Sequence, residues 1–294
     1  MPLSGQLIER LSEHMSRHTG RHVDVEREVP VGGGSINDAY RLDTDAGPFF
    51  LKTNSADRFP SMFEAEADGL KRLRTAGVIR IPEVIATGED HDDAYILLEH
   101  IGSGARMASF WEDFGRSLAR LHQHSSERFG LERDNYIGSL KQVNTPHAEW
   151  RDFFMHCRLE LQVKLARDKQ RIGMGDVLRF ERLYGKLPSL FPKEVPSLLH
   201  GDLWNGNFLT GPNGEPVLID PAVYYGHREM DLAMSKLFGG FDAEFYAAYH
   251  AERPLEAGWE ERKDLCNLYP LLVHINLFGG GYIAQVQQAL RRFS

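Results

Sequence analysis

Residues 197–210 read SLLHGDLWNGNFLT, a short polar loop between two apolar runs. The loop holds one acid, Asp202, and an amide five residues later, Asn207, while the next apolar run, VLIDPA, carries a second acid at Asp220. Carboxylate and amide oxygens of this kind suit Mg²⁺, which binds through few protein groups plus phosphate oxygens. A further carboxylate can orient and deprotonate a hydroxyl nucleophile. The alternative for the loop alone is that these residues only cap turns, where Asp and Asn are common.

A glycine-rich turn lies upstream, in VPVGGGSINDAYRL at 29–42, between two segments that alternate apolar and polar residues. The bare backbone of such a turn can approach phosphates closely. The candidate phosphate-binding residues are Gly32, Gly33, Gly34 and Ser35. A simple hairpin is the alternative, and Asn37 stands where a third glycine would complete the nucleotide-binding pattern.

About ten residues further on, FFLKTN places Lys52 inside an apolar strand. A lone lysine in a strand usually points to solvent, but after a glycine-rich hairpin it can instead bind the α- and β-phosphates of a nucleotide. Such a lysine needs a carboxylate partner, and the next helical segment, FEAEADGLKRL, offers Glu64 and Glu66. We favour Glu66 and expect Glu64 to be a solvated helical charge. The strand YILLEHIGSG then runs into a linker, whose backbone near Glu99 and Ile101 is the predicted contact for adenine.

The order of these features is more specific than any one of them. A glycine-rich hairpin, a strand Lys, a helix Glu, a linker, a D-x-x-x-x-N loop and a strand-end Asp together follow the kinase pattern. We therefore predict ATP-dependent phosphoryl transfer, with ATP and Mg²⁺ as cofactors. The predicted fold class is α+β, a two-lobed protein-kinase-like fold. Residues 1–102 would form the ATP-binding lobe of a leading helix, an antiparallel sheet and one helix, and residues 103–294 a larger helical lobe.

Composition sets further limits. The 294-residue chain has a net charge of −8, which disfavours nucleic acid as a main partner because phosphate binding needs a basic field. Its two cysteines, Cys157 and Cys266, form no disulfide framework or thiolate metal cluster, and we expect reduced, partly buried thiols. The N-terminus lacks the apolar region of a signal peptide, and no run of 18 apolar residues occurs. We expect a cytoplasmic monomer with no membrane partner.

The motifs depart from those of protein kinases. The loop reads His-Gly-Asp, Asp220 is followed by Pro-Ala, and no Ala-Pro-Glu follows. Instead, HGDLWNGNFL and LIDPAVYYGHREMDLAM resemble the fructosamine-3-kinase and ketosamine-3-kinase family, relatives of the aminoglycoside phosphotransferases and choline kinases. The resemblance extends through NYIGSLKQVNT, WRDFFMHCRL and YPLLVHINLFGGGYIAQV, and so covers nearly the whole chain.

The resemblance implies transfer of the ATP γ-phosphate to the 3-hydroxyl of a ketoamine on a lysine, a free amine or a protein, which leads to deglycation. It assigns Asp202 as the base, Asn207 and Asp220 as Mg²⁺ ligands, and Lys52 with Glu66 as the phosphate-positioning pair. It also favours ribulose-type over fructose-type adducts. Two alternatives remain open: an aminoglycoside- or choline-type phosphotransferase of the same fold, and a catalytically silent nucleotide-binding protein.

Three further residues are candidate substrate contacts. Trp204 lies inside the loop, where a large ring must pack or stack on something, so it is either a wall for the acceptor or a packing residue. His227 and Glu229 belong to the polar segment YYGHREMDL just after Asp220. In the same segment we expect Asp231 to cap or brace the following helix and to pair with Arg228.

Overall fold

The computed structural model of the protein describes residues 3–32 and 36–294. The chain divides into two compact units, the first comprising Met1–Met107 with Leu209–Asp220, and the second Ala108–Phe208 with Pro221–Ser294. The segment that ends in Asp220 therefore belongs to the first unit although most of its neighbours in sequence belong to the second. Gly33, Gly34 and Ser35 of the predicted phosphate loop lie outside the described residues.

The elements follow each other along the chain as helices and short strands. Up to residue 107 these are α1 (Gly5–Thr19), β1 (Val25–Pro30), β2 (Asp38–Thr44), β3 (Phe49–Ser55), α2 (Met62–Ala76), β4 (Val84–Asp90) and β5 (Asp93–Glu99). After it come α3 (Phe110–Leu121), β6 (Asn135–Ile137), β7 (Leu140–Gln142), α4 (Trp150–Phe153), α5 (Glu160–Asp168), α6 (Met174–Leu190), β8 (Ser197–Leu199), β9 (Phe208–Thr210), β10 (Pro216–Leu218), β11 (Tyr224–Gly226), α7 (Glu229–Ser235), α8 (Ala243–Glu252), α9 (Trp259–Cys266), α10 (Leu268–Phe278) and α11 (Ile283–Phe293).

The first unit is built on an antiparallel sheet of five strands in the order β1-β2-β3-β5-β4. Helix α1 covers it with Leu7, Leu11 and Met15, whose helical spacing puts them on one buried face. The hydroxyl of Ser4 accepts a hydrogen bond from the N–H of Leu7 and so caps the start of the helix, and Gly20 ends it in the left-handed conformation. The predicted sheet and its two helices are confirmed.

The segment Leu209–Asp220 joins this unit through Arg80, four residues before β4. Arg80 forms a parallel bridge with Val217, and its carbonyl accepts from the N–H of Leu218 at 3.0 Å. The Arg80 guanidinium also pairs with the carboxylates of Glu99 and Glu215. Strand β10, which leads directly to Asp220, is thereby fixed to the unit that carries Lys52.

The second unit is mainly helical, with the short strand pairs β6–β7 and β8–β11. Helices α4 and α5 are joined by a π-helical turn, Phe154–Leu159. Such a turn inserts an extra residue and is frequent at functional sites. Near the C-terminus, Gly279 takes a φ of 99° and separates α10 from α11.

The predicted fold class, an antiparallel-sheet unit followed by a mainly helical one, is confirmed.

Both cysteines are buried, and burial raises the pKa of each thiol. Within residues 3–32 and 36–294, no helix combines the length and apolar character needed to cross a membrane.

Candidate active site

Lys52 lies at the centre of a buried ion cluster in the first unit. Its side chain projects from β3, between Ala39 of β2 and Ile96 of β5. The Nζ atom lies 2.7 Å from Oε1 of Glu66 on α2 and 2.5 Å from Oδ1 of Asp220. The partner on the helix is thus Glu66, as the sequence pattern favoured.

The charges in this cluster depend on one another. Burial alone would lower the pKa of Lys52, but the Asp220 and Glu66 carboxylates outweigh burial and raise it above its ordinary value. The ammonium is therefore held in its charged form. Burial raises the pKa of Glu66, and Lys52 opposes that shift. A charged lysine fixed between two acids is suited to bind an anionic group that replaces part of its contact with the more exposed Asp220.

Asp220 has an unusual backbone for a residue with a side chain. Its φ is 55°, in the left-handed region that few non-glycine residues adopt. Its side chain is 45% exposed, in contrast with the 8% of Lys52. Backbone strain of this kind is concentrated at functional sites, where the surrounding structure holds it. The conformation carries the carboxylate to Lys52 and leaves it accessible.

The loop after β8 forms the centre of the site in the second unit. The side-chain Nδ2 of Asn207 donates to Oδ2 and to the backbone oxygen of Asp202, each at 2.8 Å. The N–H of Asn207 donates to the carbonyl of Trp204 and closes the turn. Asn205 donates through Nδ2 to the carbonyls of Phe238 and Gly240, each at 3.2 Å, so it holds the loop to that segment.

Asp231 holds the same loop from its other side. Its two carboxylate oxygens accept the N–H groups of His200 at 2.8 Å and Gly201 at 2.9 Å. Burial alone would raise the pKa of Asp231, but hydrogen bonds from His122 and Gly201 hold it below its usual range. Asp231 is therefore a fixed anion that accepts from the two residues before Asp202.

This role of Asp231 differs from the predicted one. The residue braces the loop that carries Asp202, through His200 and Gly201, and the expected pairing with Arg228 is wrong. The guanidinium of Arg228 binds Glu194 instead, with its Nε 2.9 Å from Oε1. The available signal was Asp231 between the apolar residues Met230 and Leu232, since an acid at a buried position must meet a polar partner.

His122 completes this arrangement from α3. Its Nε2 lies 3.1 Å from Oδ2 of Asp231, and its Nδ1 lies 2.8 Å from the hydroxyl of Tyr249. Burial lowers the pKa of His122, so the neutral ring donates from Nε2 to Asp231 and accepts from Tyr249. The ring serves the loop indirectly, as a buried core histidine.

His227 and Glu229 are buried in the structure. The Glu229 carboxylate binds Arg262 through two hydrogen bonds of 2.6 and 2.8 Å, and its side chain is 1% exposed. The His227 ring packs among Trp150 and Phe191 and is fully buried. These contacts favour a structural role, and substrate binding by either residue stays a prediction that their burial does not support.

Trp204 is half-buried and lies at the edge of an aromatic group. Its ring packs edge-on against Phe238 at 5.8 Å between ring centres. Phe238 in turn contacts His274 and Tyr282, and the exposed Phe278 contacts His274. The aromatic surface of Trp204, Phe238, His274, Phe278 and Tyr282 therefore adjoins the loop that carries Asp202.

The predicted adenine contact lies at the end of β5. The N–H of Glu99 donates to the carbonyl of Glu83 at 2.9 Å, and its carboxylate pairs with Arg80. That N–H is already used in the sheet edge, so Ile101 and the Glu99 carbonyl remain the candidates for hydrogen bonding to a base.

The donor set suits a magnesium nucleotide. In the second unit, Asn207 uses its Nδ2 on Asp202, and the oxygen of a side-chain amide has the chemistry of a metal ligand. In the first unit, Asp220 supplies a carboxylate whose side chain is 45% exposed. The described residues contain no group of three or more His, Cys, Asp or Glu side chains that could hold a metal. Few protein oxygens plus phosphate are what Mg²⁺ uses in phosphoryl-transfer enzymes.

Comparison with known proteins identifies the family. The fructosamine kinase family model matches residues 7–294. The chain belongs to the fructosamine kinase family. A relative from Enterococcus faecium, assigned as a ketoamine kinase, is 43% identical over 267 residues, which cover 90% of this chain and 94% of the relative. The chloroplastic protein-ribulosamine 3-kinase of Arabidopsis thaliana is 45% identical over 260 residues, which cover 86% of this chain and 78% of that protein.

Solved structures agree with this membership. A crystal structure from Thermobifida fusca, assigned as a fructosamine-3-kinase, has a TM-score of 0.85 at 34% identity and covers 96% of this chain and 97% of its own. Aminoglycoside phosphotransferase APH(4)-Ia, in a ternary complex with AMP-PNP and hygromycin B, has a TM-score of 0.61 at 14% identity, covering 96% of this chain and 98% of its own. The second similarity concerns the fold alone.

Proposed function

We propose that this member of the fructosamine kinase family transfers the γ-phosphate of ATP to the 3-hydroxyl of ketosamines, the adducts of sugars with lysine, free amines or protein. The observation that carries the proposal is the ion cluster in which Lys52 contacts both Glu66 and Asp220, residues 14 and 168 positions away in sequence. Lys52, Glu66 and Asp220 each belong to a different motif of the kinase pattern. Family membership supplies the acceptor class.

The roles of the side chains follow from their chemistry. Lys52, positioned by Glu66, binds the phosphates of ATP, and the linker backbone near Glu99 and Ile101 binds the base. Asn207 and Asp220 hold Mg²⁺, which neutralises charge on the phosphates when bound. Asp202 accepts the proton of the acceptor hydroxyl, since Asn207 fixes one of its oxygens and so orients the carboxylate. Catalysis is then mainly positioning.

Trp204 is the proposed contact for the acceptor. It lies two residues after Asp202 and continues into the aromatic surface with Phe238. Aromatic faces bind both the apolar face of a sugar and the cationic amine of a ketosamine. Ribulosyl adducts are the proposed preference, which is consistent with the relative named protein-ribulosamine 3-kinase. We also propose a cytoplasmic monomer.

The test is ADP release from Mg·ATP with ribulosyl-lysine, fructosyl-lysine, erythrulosyl-lysine, kanamycin, choline or no acceptor. We expect turnover with the ketoamines alone and fastest with ribulosyl-lysine. Turnover with kanamycin or choline alone would retain phosphoryl transfer but overturn the acceptor.

Two variants connect turnover with the assigned base. Asp202→Asn should lower kcat by about 10²–10⁴-fold, the usual contribution of a general base. Asp242→Asn is the matched control, because Asp242 only caps helix α8 by accepting from Glu244. Equal turnover by the wild type and Asp202→Asn would show that Asp202 is not the base.

A further inference from the structure

Arg158 is a fully buried cation whose guanidinium is hydrogen-bonded to neutral oxygens. It lies in the π-helical turn Phe154–Leu159, and its side chain stacks over the rings of Phe153, Tyr224 and Tyr269 at 4.5, 4.0 and 5.2 Å. Nη1 donates to the carbonyl of Val143 at 2.7 Å. Buried arginines are normally paired with carboxylates, so this placement calls for a specific reason.

The reason lies in the direction of the hydrogen bonds that start at Arg158. A guanidinium only donates, so Asn144 must turn its Oδ1 to Nη2, at 2.8 Å. The Nδ2 of Asn144 then donates to Oδ1 of Asn135, at 2.8 Å. Asn135 in turn donates through Nδ2 to the carbonyl of Val223, at 2.8 Å. A backbone carbonyl only accepts, so Arg158 at one end and the Val223 carbonyl at the other impose the same donor-to-acceptor direction on this series of hydrogen bonds.

Gln142 adds a parallel branch. Its Nε2 donates to Oδ1 of Asn135 at 2.8 Å and to the carbonyl of Ala222 at 3.1 Å. Its Oε1 accepts the hydroxyl hydrogen of Tyr269 at 2.7 Å. Arg158, Asn144, Asn135 and Gln142 are all buried, and because an unpaired polar group is costly in the interior, the amides are held to these partners.

Both branches end on the backbone that links the proposed catalytic elements. Ala222 and Val223 follow Asp220 by two and three residues, and the N–H of Ala222 donates to the carbonyl of His200 at 2.9 Å. Gly201, next to Asp202, packs so closely on Ala222 that an added Cβ would lie 2.1 Å from its carbonyl oxygen. The orientation of these two peptide groups therefore sets where the loop with Asp202 lies.

We propose that Arg158 is a positioning residue for phosphoryl transfer, which acts by imposing one hydrogen-bond direction on Asn144, Asn135 and Gln142 and so fixes the Ala222 and Val223 peptides. The proposal rests on the proposed function for its reaction, and on the hydrogen-bond chain for its mechanism. Catalysis that depends on positioning is sensitive to the orientation of these peptides, because a displacement of about 1 Å can cost 10²-fold in rate.

Asn144→Asp separates direction from stability. An aspartate at 144 accepts from Arg158 and forms an ion pair with it, but it cannot donate to Asn135 or to the carbonyl of Arg133, which the Nδ2 of Asn144 also contacts at 3.2 Å. Asn135 would then turn its Nδ2 to residue 144 and set its own oxygen against the carbonyl of Val223. We expect kcat per folded molecule to fall by about 10–100-fold, with the KM for ATP within about twofold of wild type. The new ion pair and the lost hydrogen bonds act on the melting temperature in opposite directions.

The matched control is Asn276→Asp. Asn276 is also a buried amide donor, bonded to Gln162 at 2.8 and 3.0 Å, but it lies outside the chain that starts at Arg158. It should lower the melting temperature and leave kcat per folded molecule unchanged. Arg158→Lys, which keeps a donor-only group, should retain more kcat than Arg158→Leu at equal folded fraction.

Turnover is measured with ribulosyl-lysine and, in parallel, as hydrolysis of Mg·ATP without acceptor. The proposal would be overturned if Asn144→Asp had the kcat of the wild type. It would also be overturned if kcat fell in both Asn144→Asp and Asn276→Asp in proportion to the loss of melting temperature. If the wild type does not turn over any ketoamine, the proposed acceptor fails, and the hydrolysis rates of the variants still decide the role of Arg158. No turnover of Mg·ATP by the wild type in either assay would overturn both.

Discussion

The side-chain amide of Asn207 donates two hydrogen bonds to Asp202, one to its carboxylate and one to its backbone carbonyl, each at 2.8 Å. One amide group thus fixes the position of the proposed base. The same loop contains a second amide, Asn205, whose hydrogen bonds go instead to the carbonyls of Phe238 and Gly240. The two amides should therefore differ in what their loss does.

Asn207→Ala should lower kcat by about 10²-fold or more, because Asp202 loses the donor that orients it. It should also raise the Mg²⁺ concentration needed for half-maximal rate, because the proposed ligand oxygen is removed. Asn205→Ala should lower thermal stability slightly and leave the Mg²⁺ dependence unchanged. Rates measured across a Mg²⁺ titration test both. An Asn207→Ala enzyme with wild-type Mg²⁺ dependence would contradict the assignment of Asn207 as a ligand.

Glu66→Gln tests the ion cluster in the first unit. The change removes one of the two negative charges that hold Lys52, so Asp220 is left as the one carboxylate of this pair, although the amide oxygen introduced at position 66 can still accept from Nζ. We expect the KM for ATP to rise by about tenfold or more, which corresponds to a loss of about 1.4 kcal/mol in binding free energy. Glu64→Gln, two residues earlier on the same helix, is the control and should leave the KM near wild type. Equal effects of the two changes would exclude a specific role for Glu66.

Much of this cluster could be predicted because each member is set by a local pattern. Lys52 follows three apolar residues in its strand, and Glu66 lies on a helix that begins at Met62 and is capped by Gly77, where its spacing could be read directly. Asp220 ends an apolar strand. Their pairing needs only the order of elements in a kinase-like fold, which the motifs together indicated.

The brace at Asp231 could not be predicted in the same way. It depends on hydrogen bonds across 30 and 31 residues to backbone N–H groups, which carry no residue signature. Helix α6 was also not predicted, although Phe180, Leu183 and Leu187 have helical spacing. Glycines near its start and Pro188 in its last turn weaken the local signal, and packing of these three side chains in the core compensates.

Gly201→Ala tests how tightly the loop is fitted. Gly201 has a φ of 83°, and an added Cβ would lie 2.1 Å from the carbonyl oxygen of Ala222. Gly240 has a φ of 75° but no atom within 4 Å of an added Cβ. Gly240→Ala should therefore cost only the left-handed backbone penalty of ~1–2 kcal/mol, while Gly201→Ala should cost about 3 kcal/mol or more. Denaturant unfolding of both variants measures the difference, and equal losses would contradict the close fit at Gly201.

Stability should fall as the pH drops below neutrality, because the second unit contains buried neutral histidines. Burial lowers the pKa of His227 from its ordinary value of 6.5, although Glu194 and Glu229 oppose the shift, and Arg228 and Arg262 add to it. The unfolded chain therefore binds this proton at a higher pH than the folded protein does. The contribution is complete above about pH 6.5 and is lost as the pH falls towards the lower folded-state value.

His227→Gln should flatten this part of the profile, by at most about 1.4 kcal/mol per pH unit for one proton. His122 is shifted in the same direction by burial, so part of the slope should remain in this variant. His124→Gln, at an exposed position in the same unit, is the control and should leave the profile unchanged. The free energy of unfolding measured between pH 5 and 8 distinguishes these cases, since a slope unaffected by His227→Gln would place the titrating groups elsewhere.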